Sequence, residues 1–186
     1  FANDTCLAGN TCVEGRCDLL TCEGDVFIET PSDFDAIRSC GRLQGSLTIR
    51  LAVDVPSIDN VVRALREVSG TVRVESVRFS SLSFAHLRQV GGSFDVRRAQ
   101  SHQSLNQLRE IRLPHLKSVG GTLRVDDAAQ LHTLSTPVLE RVDTHLELTT
   151  LPALVVADLP LLTNVGGNAE FFLLPLLPEL PGASVV

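Results

Sequence analysis

The sequence of 186 residues lacks the features that mark several common classes of protein. It has no apolar run long enough to cross a bilayer, since the richest one, "FFLLPLLPEL", is short and interrupted by prolines. Its formal net charge of −6 gives no support to nucleic-acid binding, which needs basic patches. The sequence therefore predicts neither a membrane span nor a nucleic-acid partner.

The chain also lacks the short motifs that accompany common catalytic chemistry. It has no serine in a G-x-S-x-G turn, no phosphate-binding G-x-x-x-x-G-K and no H-E-x-x-H. Asp126 and Asp127 are adjacent carboxylates, but no partner carboxylate is identifiable, so surface charge is the favoured role. We expect no enzyme activity and no cofactor.

Aromatic residues are scarce, with eight Phe and no Trp or Tyr. This argues against a surface that stacks on sugar rings or holds a peptide in an aromatic groove. Methionine is absent and the sequence starts at Phe1. We therefore expect that it is not a full translation product, a removed signal peptide being one explanation.

An internal repeat is the dominant feature that the sequence does have. The stretch "LPHLKSVGGTLRV" at 113–125 returns as "FAHLRQVGGSFDV" at 84–96, "TPVLERVDTHLEL" at 136–148 and "LPLLTNVGGNAEF" at 159–171. Aligned on the second glycine position, from Gly45 to Gly167, the repeats are 22 to 29 residues apart. That spacing is typical of one coil of a solenoid.

Each repeat ends in a short alternation of apolar and polar residues, starting near residues 46, 71, 93, 122, 145 and 168. A period of two predicts half-buried strands, and their stacking predicts a mainly β, parallel β-solenoid of about six coils and about 25–30 Å in length. Two further apolar columns would complete the core: Val68, Val90, Val119, Val142 and Val165, and Leu87, Leu116, Leu139 and Leu162. The glycine pair predicts a tight corner, through positive φ or close backbone approach.

Over the three central coils, the outward positions of these strands carry charges of alternating sign. The two columns read Thr48, Arg73, Asp95, Arg124, Glu147, Glu170 and Arg50, Glu75, Arg97, Asp126, Thr149, Phe172. Facing opposite charges contribute about 0.2–1 kcal/mol each. A solvated sheet face that sets the register and a charge-coded docking face both fit. We favour the first, because neutralised charges leave little field to steer a partner.

The five cysteines, Cys6, Cys12, Cys17, Cys22 and Cys40, all lie in the first quarter of the chain. Their spacing lacks the paired C-x2-C knuckles that zinc prefers, so disulfides in an oxidising compartment are favoured over a metal site. Two early segments carry helical signals. One covers 33–39 behind Ser32, where Asp35 three residues on resembles the second member of a capping box. The other follows Ser57 as N-cap, with Ile58, Val61, Val62 and Leu65 on one face.

The segment from Cys22, "CEGDVFIETPSDFDAIRSCGRLQGSLTIR", resembles the start of receptor L domains, the leucine-rich modules of the insulin and epidermal growth factor receptor ectodomains. In that family an opening cysteine precedes a short helix, and a second cysteine leads into a strand. The "LPxLxxVGGxLxV" lines match the later coils of its bacterial and fungal surface relatives. The resemblance covers roughly residues 22–180. It leaves residues 1–21 as a separate cysteine-rich segment.

The resemblance implies a disulfide between Cys22 and Cys40. Among the other three cysteines we predict Cys6–Cys17, which leaves Cys12 for a cysteine upstream or on another chain. Receptor L domains bind protein ligands, although no ligand residue carries over. We therefore expect a secreted or cell-surface, non-catalytic protein-interaction module, with a glycan as a further candidate partner.

The alternative function is a self-assembling structural subunit that stacks head to tail. The stretch from Phe171 to Val186 carries Glu179 as its only charge, and an apolar end surface marks an interface. The residues predicted to contact a neighbour are Phe171, Phe172, Leu173, Leu174, Leu176, Leu177 and Leu180.

Two other features have simpler interpretations. Residues 98–109 lengthen one coil and would be the first loop to examine for partner binding, although a passive bulge is favoured. His86 and His115 share a repeat position, but a metal site would need more ligands. We expect surface histidines there.

Overall fold

The computed structural model describes residues 10–13, 16–51, 58, 62–75, 78–98 and 107–178, with side chains from Asp18 onward. In these ranges the chain is mainly β and forms a parallel β-solenoid of about six turns. Two sheets of seven strands and one of four run along the stack. A separate antiparallel hairpin precedes them, formed by β1 (Asn10–Val13) and β2 (Arg16–Leu19).

Every coil contributes one strand to each of the two long sheets. Sheet 1 consists of β3 (Thr21–Glu23), β5 (Arg42–Gln44), β7 (Glu67–Val68), β10 (Gln89–Val90), β13 (Ser118–Val119), β16 (Arg141–Val142) and β19 (Asn164–Val165). Sheet 2 consists of β4 (Val26–Ile28), β6 (Leu47–Ile49), β8 (Val72–Glu75), β11 (Phe94–Arg97), β14 (Leu123–Asp126), β17 (Leu146–Thr149) and β20 (Ala169–Phe172). Sheet 3 consists of β9 (Ser81–Ser83), β12 (Glu110–Arg112), β15 (Thr133–Ser135) and β18 (Val156–Asp158).

The parallel solenoid predicted from the repeat is confirmed. Each predicted sheet 2 strand begins one residue later than expected, from Leu47 in the first to Ala169 in the last. Equivalent positions pair directly, as when Val90 lies between Val68 and Val119. One coil, containing β3 and β4, precedes those predicted. It was missed because its residues lack the Leu-x-x-Val line that carries the repeat signal.

Inward side chains of neighbouring coils form continuous columns in the core. Leu47, Val72, Phe94 and Leu123 follow one another in register along sheet 2, and all are fully buried. Phe84 packs edge to face on Phe94, with ring centroids 5.9 Å apart. Each column shields its members from water from above and below, which is how a thin coil obtains a core.

The glycine corner works through close approach of successive coils. A Cβ on Gly92 would lie 2.8 Å from the carbonyl carbon of Gly70, and one on Gly121 would lie 2.9 Å from that of Gly92. The same residues are hydrogen bonded in series, since the N–H of Gly121 donates to the carbonyl of Gly92 at 2.8 Å. Neither Gly92 nor Gly121 has a positive φ. Of the two roles predicted for the pair, close approach is therefore the one that these corners use.

The first coils are closed by a short helix and a disulfide. A 3-10 helix covers Pro31–Ala36, and a turn continues it over 37–39. Cys22 and Cys40 are bonded, with Cα atoms 5.8 Å apart, as the resemblance implied. Phe34 in the helix is buried in the core. The bond ties the first strand of sheet 1 to Cys40, two residues before the second strand begins.

The helix begins earlier than predicted, and a different carboxylate caps it. Proline suits the first turn, so the helix starts at Pro31 rather than behind Ser32. The Asp33 carboxylate accepts N–H groups of Glu29 and Thr30, at 2.9 and 2.8 Å, and these hydrogen bonds hold the pKa of Asp33 below its ordinary value. Asp35, the predicted capping residue, pairs instead with Arg38 at 3.0 Å.

Several predictions fall on residues outside the described ranges. In the second predicted helix, Ile58, Val62 and Leu65 are buried as expected, while Ser57 and Val61 are not described. The predicted Cys6–Cys17 bond and the partner of Cys12 likewise lie outside the described residues. The backbone register of the hairpin places Cys12 opposite Cys17. None of the helices in the described ranges is long and apolar enough to span a bilayer.

Replacing Gly121 by alanine should lower the free energy of unfolding by about 1–3 kcal/mol, because the new methyl group overlaps the backbone of the coil below. Urea unfolding followed by circular dichroism measures the change. The matched control is Thr144→Ala in the same column, where a Cβ is already present. It removes only the exposed hydrogen bond between the Thr144 and Thr122 hydroxyls and should cost about 1 kcal/mol or less. Equal stability of wild type and Gly121→Ala would contradict the close-approach explanation.

Removing the Cys22–Cys40 bond should also destabilise the fold. The two cysteines are 18 residues apart, and closing a loop of that size stabilises by about 3 kcal/mol in the chain-entropy model. We expect Cys22→Ala/Cys40→Ala and the reduced wild type to show similar losses in urea unfolding. A wild type whose unfolding midpoint is unchanged by reducing agent would show that the bond does not contribute.

Candidate functional site

The outward side of sheet 2 carries an ordered array of charges, here called the charged face. Its members are Arg50, Arg73, Glu75, Asp95, Arg97, Arg124, Asp126 and Glu147. Asp95 lies in register with Arg73 on one side and Arg124 on the other, and Arg97 lies in register with Glu75. Because parallel strands stack without offset, the alternation in sequence becomes an alternation in space.

The predicted pairing across strands is present in the structure. Glu75 accepts hydrogen bonds from Arg50 at 2.9 Å and from Arg97 at 3.3 Å. Asp95 pairs with Arg73 at 3.4 Å and with Arg97 at 3.3 Å. Three neighbouring coils are therefore connected by one network of ion pairs.

The burial of two carboxylates departs from the solvated face that the sequence predicted. Only 6% of Glu75 and 5% of Asp95 is exposed, because the longer arginine side chains lie around them. Burial raises the pKa of Glu75, but hydrogen bonds and charge from Arg50 and the charge of Arg97 outweigh it, so this pKa lies below its ordinary value. Within the described chain, Oδ1 of Asp95 has no hydrogen-bond partner.

The adjacent carboxylates of Asp126 and Asp127 are each bound within the fold. Asp126 accepts a hydrogen bond from the Thr149 hydroxyl at 2.7 Å, and Asp127 pairs with Arg98 at 3.3 Å. Arg124 on the same strand pairs with Glu147. The charged face thus satisfies its charges internally, which suits a role in fixing the register of the strands.

A second ladder, which the sequence did not predict, connects the coils just before each sheet 2 strand. The hydroxyl of Thr71 accepts the N–H of Ser93 at 3.3 Å, and the hydroxyl of Ser93 accepts that of Thr122 at 3.0 Å. Two coils further on, Nδ1 of His145 accepts the N–H of Asn168 at 3.0 Å. The recurring "GGT" and "GGS" are the sequence signal for this ladder. They place a hydroxyl after each such corner, where it can accept the backbone N–H of the equivalent residue in the next coil.

The predicted interface residues of the last coil form what we call the end surface. Three of them are mostly exposed: Phe172 at 58%, Leu173 at 56% and Leu176 at 57%. Phe171, Leu174 and Leu177 are partly buried against the core, and Leu180 lies outside the described residues. In the described part of the chain, β19 and β20 have no strand on their outer side. Apolar side chains and free strand edges thus coincide.

The two histidines that share a repeat position are brought together. The rings of His86 and His115 lie parallel with centroids 6.1 Å apart. Within the described residues, no group of three or more His, Cys, Asp or Glu is placed to hold a metal ion. In the long loop at 98–109, residues 99–106 are not described, so its predicted role stays a prediction.

No protein-family model matches the chain, and no curated protein matches it significantly.

The paired state of Glu75 makes stability depend on pH. Because the folded pKa is lowered, the ionised carboxylate stabilises the fold above the unfolded value of about 4.3, and this contribution is lost as pH falls through the folded value. We expect Glu75→Gln to be about 1.5–3 kcal/mol less stable at pH 7, and to lose less stability than wild type between about pH 5 and pH 3.

Urea unfolding at a series of pH values checks this expectation. Glu170→Gln is the control, because Glu170 is exposed and makes no ion pair within the described residues. It should leave the pH dependence close to that of wild type. A Glu75→Gln variant whose stability falls with pH as steeply as wild type would show that Glu75 is not the group responsible.

Proposed function

We propose that this chain is a non-catalytic protein-interaction module of a secreted or cell-surface protein. The end surface carries the proposal, since Phe172, Leu173 and Leu176 expose more than half of their area on one end of the stack. Leu173 has a positive φ of 54°, as Asp127 and Thr150 have at the same position of the two preceding coils, so this conformation belongs to the turn after these sheet 2 strands.

Three observations support a kinship with receptor L domains. The coils carry the Leu-x-x-Val-Gly-Gly line, they stack in parallel, and the Cys22–Cys40 bond encloses a short helix. A structural disulfide is also typical of proteins outside the cytosol, which supports the proposed location. In receptors, domains of this kind bind proteins, and a protein ligand is accordingly the favoured partner.

Self-assembly is the second candidate, and a different observation favours it. The strand at the opposite edge of sheet 2 is β4, where Phe27 is 63% exposed. If β20 of one copy paired with β4 of the next, sheet 2 would continue in parallel and bury Phe172 and Phe27. Such a contact joins two different surfaces and does not close, so it would grow a filament.

Position-specific photo-cross-linking separates these functions. With a photoreactive phenylalanine at position 172, we expect a cross-link to a second protein if the end surface is a recognition site, because the side chain is exposed. A cross-link to another copy of the chain supports assembly instead. The same group at Leu161, an exposed position on another corner of the last coil, is the control.

Light scattering over a range of concentrations completes the test. Phe172→Glu and Phe27→Glu should each dissociate an assembled form, because either one places a charge in the proposed contact. Recognition of another protein should be weakened by Phe172→Glu alone. No cross-link above that of the Leu161 control would contradict both functions.

A further inference from the structure

A basic ridge, formed by Arg63, Arg66, His86, Arg88, His115 and Lys117, lies on the corner that leads from sheet 3 into sheet 1. The N–H of Arg88 donates to the carbonyl of Arg66 at 2.7 Å, and the N–H of Lys117 donates to that of Arg88 at 2.8 Å. These three residues are therefore successive rungs of one column, about 4.8 Å apart at the backbone. Repetition of one position has produced a row of cations.

The ridge differs from the charged face at Arg88 and Lys117. Among the described residues, no carboxylate forms an ion pair with Arg88 or Lys117, and both side chains are exposed. The row ends one coil later, where the equivalent residue is Glu140. Arg88 and Lys117 thus present positive charge on two adjacent coils of a chain whose net charge is −6.

The pKa of His86 reflects the charges that surround the stacked histidine rings. The pKa of His86 lies below its ordinary value, first because of partial burial and then because of the charges of Arg66, His115, Arg88 and Arg63. All four charges that act on this imidazole are cationic. An anion bound on the ridge would oppose them and favour the protonated ring.

A shallow groove adjoins the ridge on the outward face of sheet 1. Its volume is about 530 Å³, and it is lined by Arg42, Gln44, Gly45, Glu67, Val68, Ser69, Gln89 and Gly91. Glu67 and Gln89 directly follow the ridge residues Arg66 and Arg88, so groove and ridge are continuous. Arg42 and Glu67 pair with each other at 2.6 Å. The amides of Gln44 and Gln89 are exposed and can donate to and accept from hydroxyl groups.

We propose that the basic ridge and this groove bind an acidic polysaccharide. Carboxylate or sulfate groups spaced along the chain pair with Arg88 and Lys117, and sugar hydroxyls bond to Gln44 and Gln89 in the groove. The proposal rests on the extracellular location in the proposed function, where such polymers occur, but it uses a surface separate from the end surface.

Charge rather than stacking selects this partner. The ridge has no Phe, Tyr or Trp, and single-stranded nucleic acids are held by stacking bases on such rings. A protein that holds duplex DNA through about six to ten phosphate contacts needs more cations than the two exposed rungs, Arg88 and Lys117, supply. A polymer with isolated anionic groups and many hydroxyls matches both the ridge and the groove.

The test measures binding of the intact protein to immobilised heparin, polygalacturonate, neutral dextran and single-stranded DNA by surface plasmon resonance. We expect salt-sensitive binding to at least one acidic polysaccharide, and little to dextran or DNA. Arg88→Gln/Lys117→Gln should weaken it about tenfold or more, since a cation near an anionic surface contributes roughly fivefold. The control is the double variant Arg78→Gln/Arg98→Gln, on the corner between sheets 2 and 3. It has the same net charge as Arg88→Gln/Lys117→Gln and should bind like wild type.

Titration of the His86 ring by NMR adds a readout that non-specific attraction to the chain would not produce. The bound acidic polysaccharide should raise the pKa of His86 and leave the ring chemical shifts of His145, on a different corner, unchanged. Equal losses in the two double variants, equal binding of DNA, or no binding to either acidic polysaccharide would each overturn the proposal. Those results would leave cross-linking at the end surface unaffected, so failure here is distinguishable from failure of the proposed function.

Discussion

The parallel stacking of coils at one strand spacing is the constraint on which the rest of this structure depends. It places each residue directly above and below its equivalents, so any requirement at one position recurs along the stack. Gly92 must accommodate Gly70 beneath it and Gly121 above it, and a methyl group at any rung would meet backbone. At Thr144, which stands where the preceding coils have glycine, the corner has room for a side chain.

The same repetition explains why the polar surface is organised in columns. Like charges in one column would repel at about 4.8 Å, so the charged face alternates in sign and binds its charges internally. The arginines that pair with Glu75 and Asp95 also cover them, which makes the ion pairs part of the packing between coils. The basic ridge does not alternate over its three rungs. The side chains of Arg88 and Lys117 are exposed, so water and salt reduce the repulsion between them.

The two ends of the stack differ from its interior, because an end coil has a neighbouring coil on one side only. In the first coils the 3-10 helix, Phe34 and the Cys22–Cys40 bond cover and fasten the core. In the last described coil, Ala169 replaces the large buried residues of the column, and exposed Phe172 and Leu173 follow. Because each coil is stabilised only by its neighbours, this end gains the most from an added contact.

The sequence by itself determined the period of the coils, the parallel strands, the core columns and the pairing of opposite charges, because each is a local pattern repeated in register. The Cys22–Cys40 bond came from resemblance rather than from spacing. Only the tertiary structure decided which charged side chains are buried. Glu75 and Asp95 were predicted to be solvated and are covered, since burial depends on arginines of neighbouring coils. The hydroxyl ladder after the glycine corner and the basic ridge beside the sheet 1 groove also required it, because each joins residues more than twenty positions apart, and distances between coils are a property of packing.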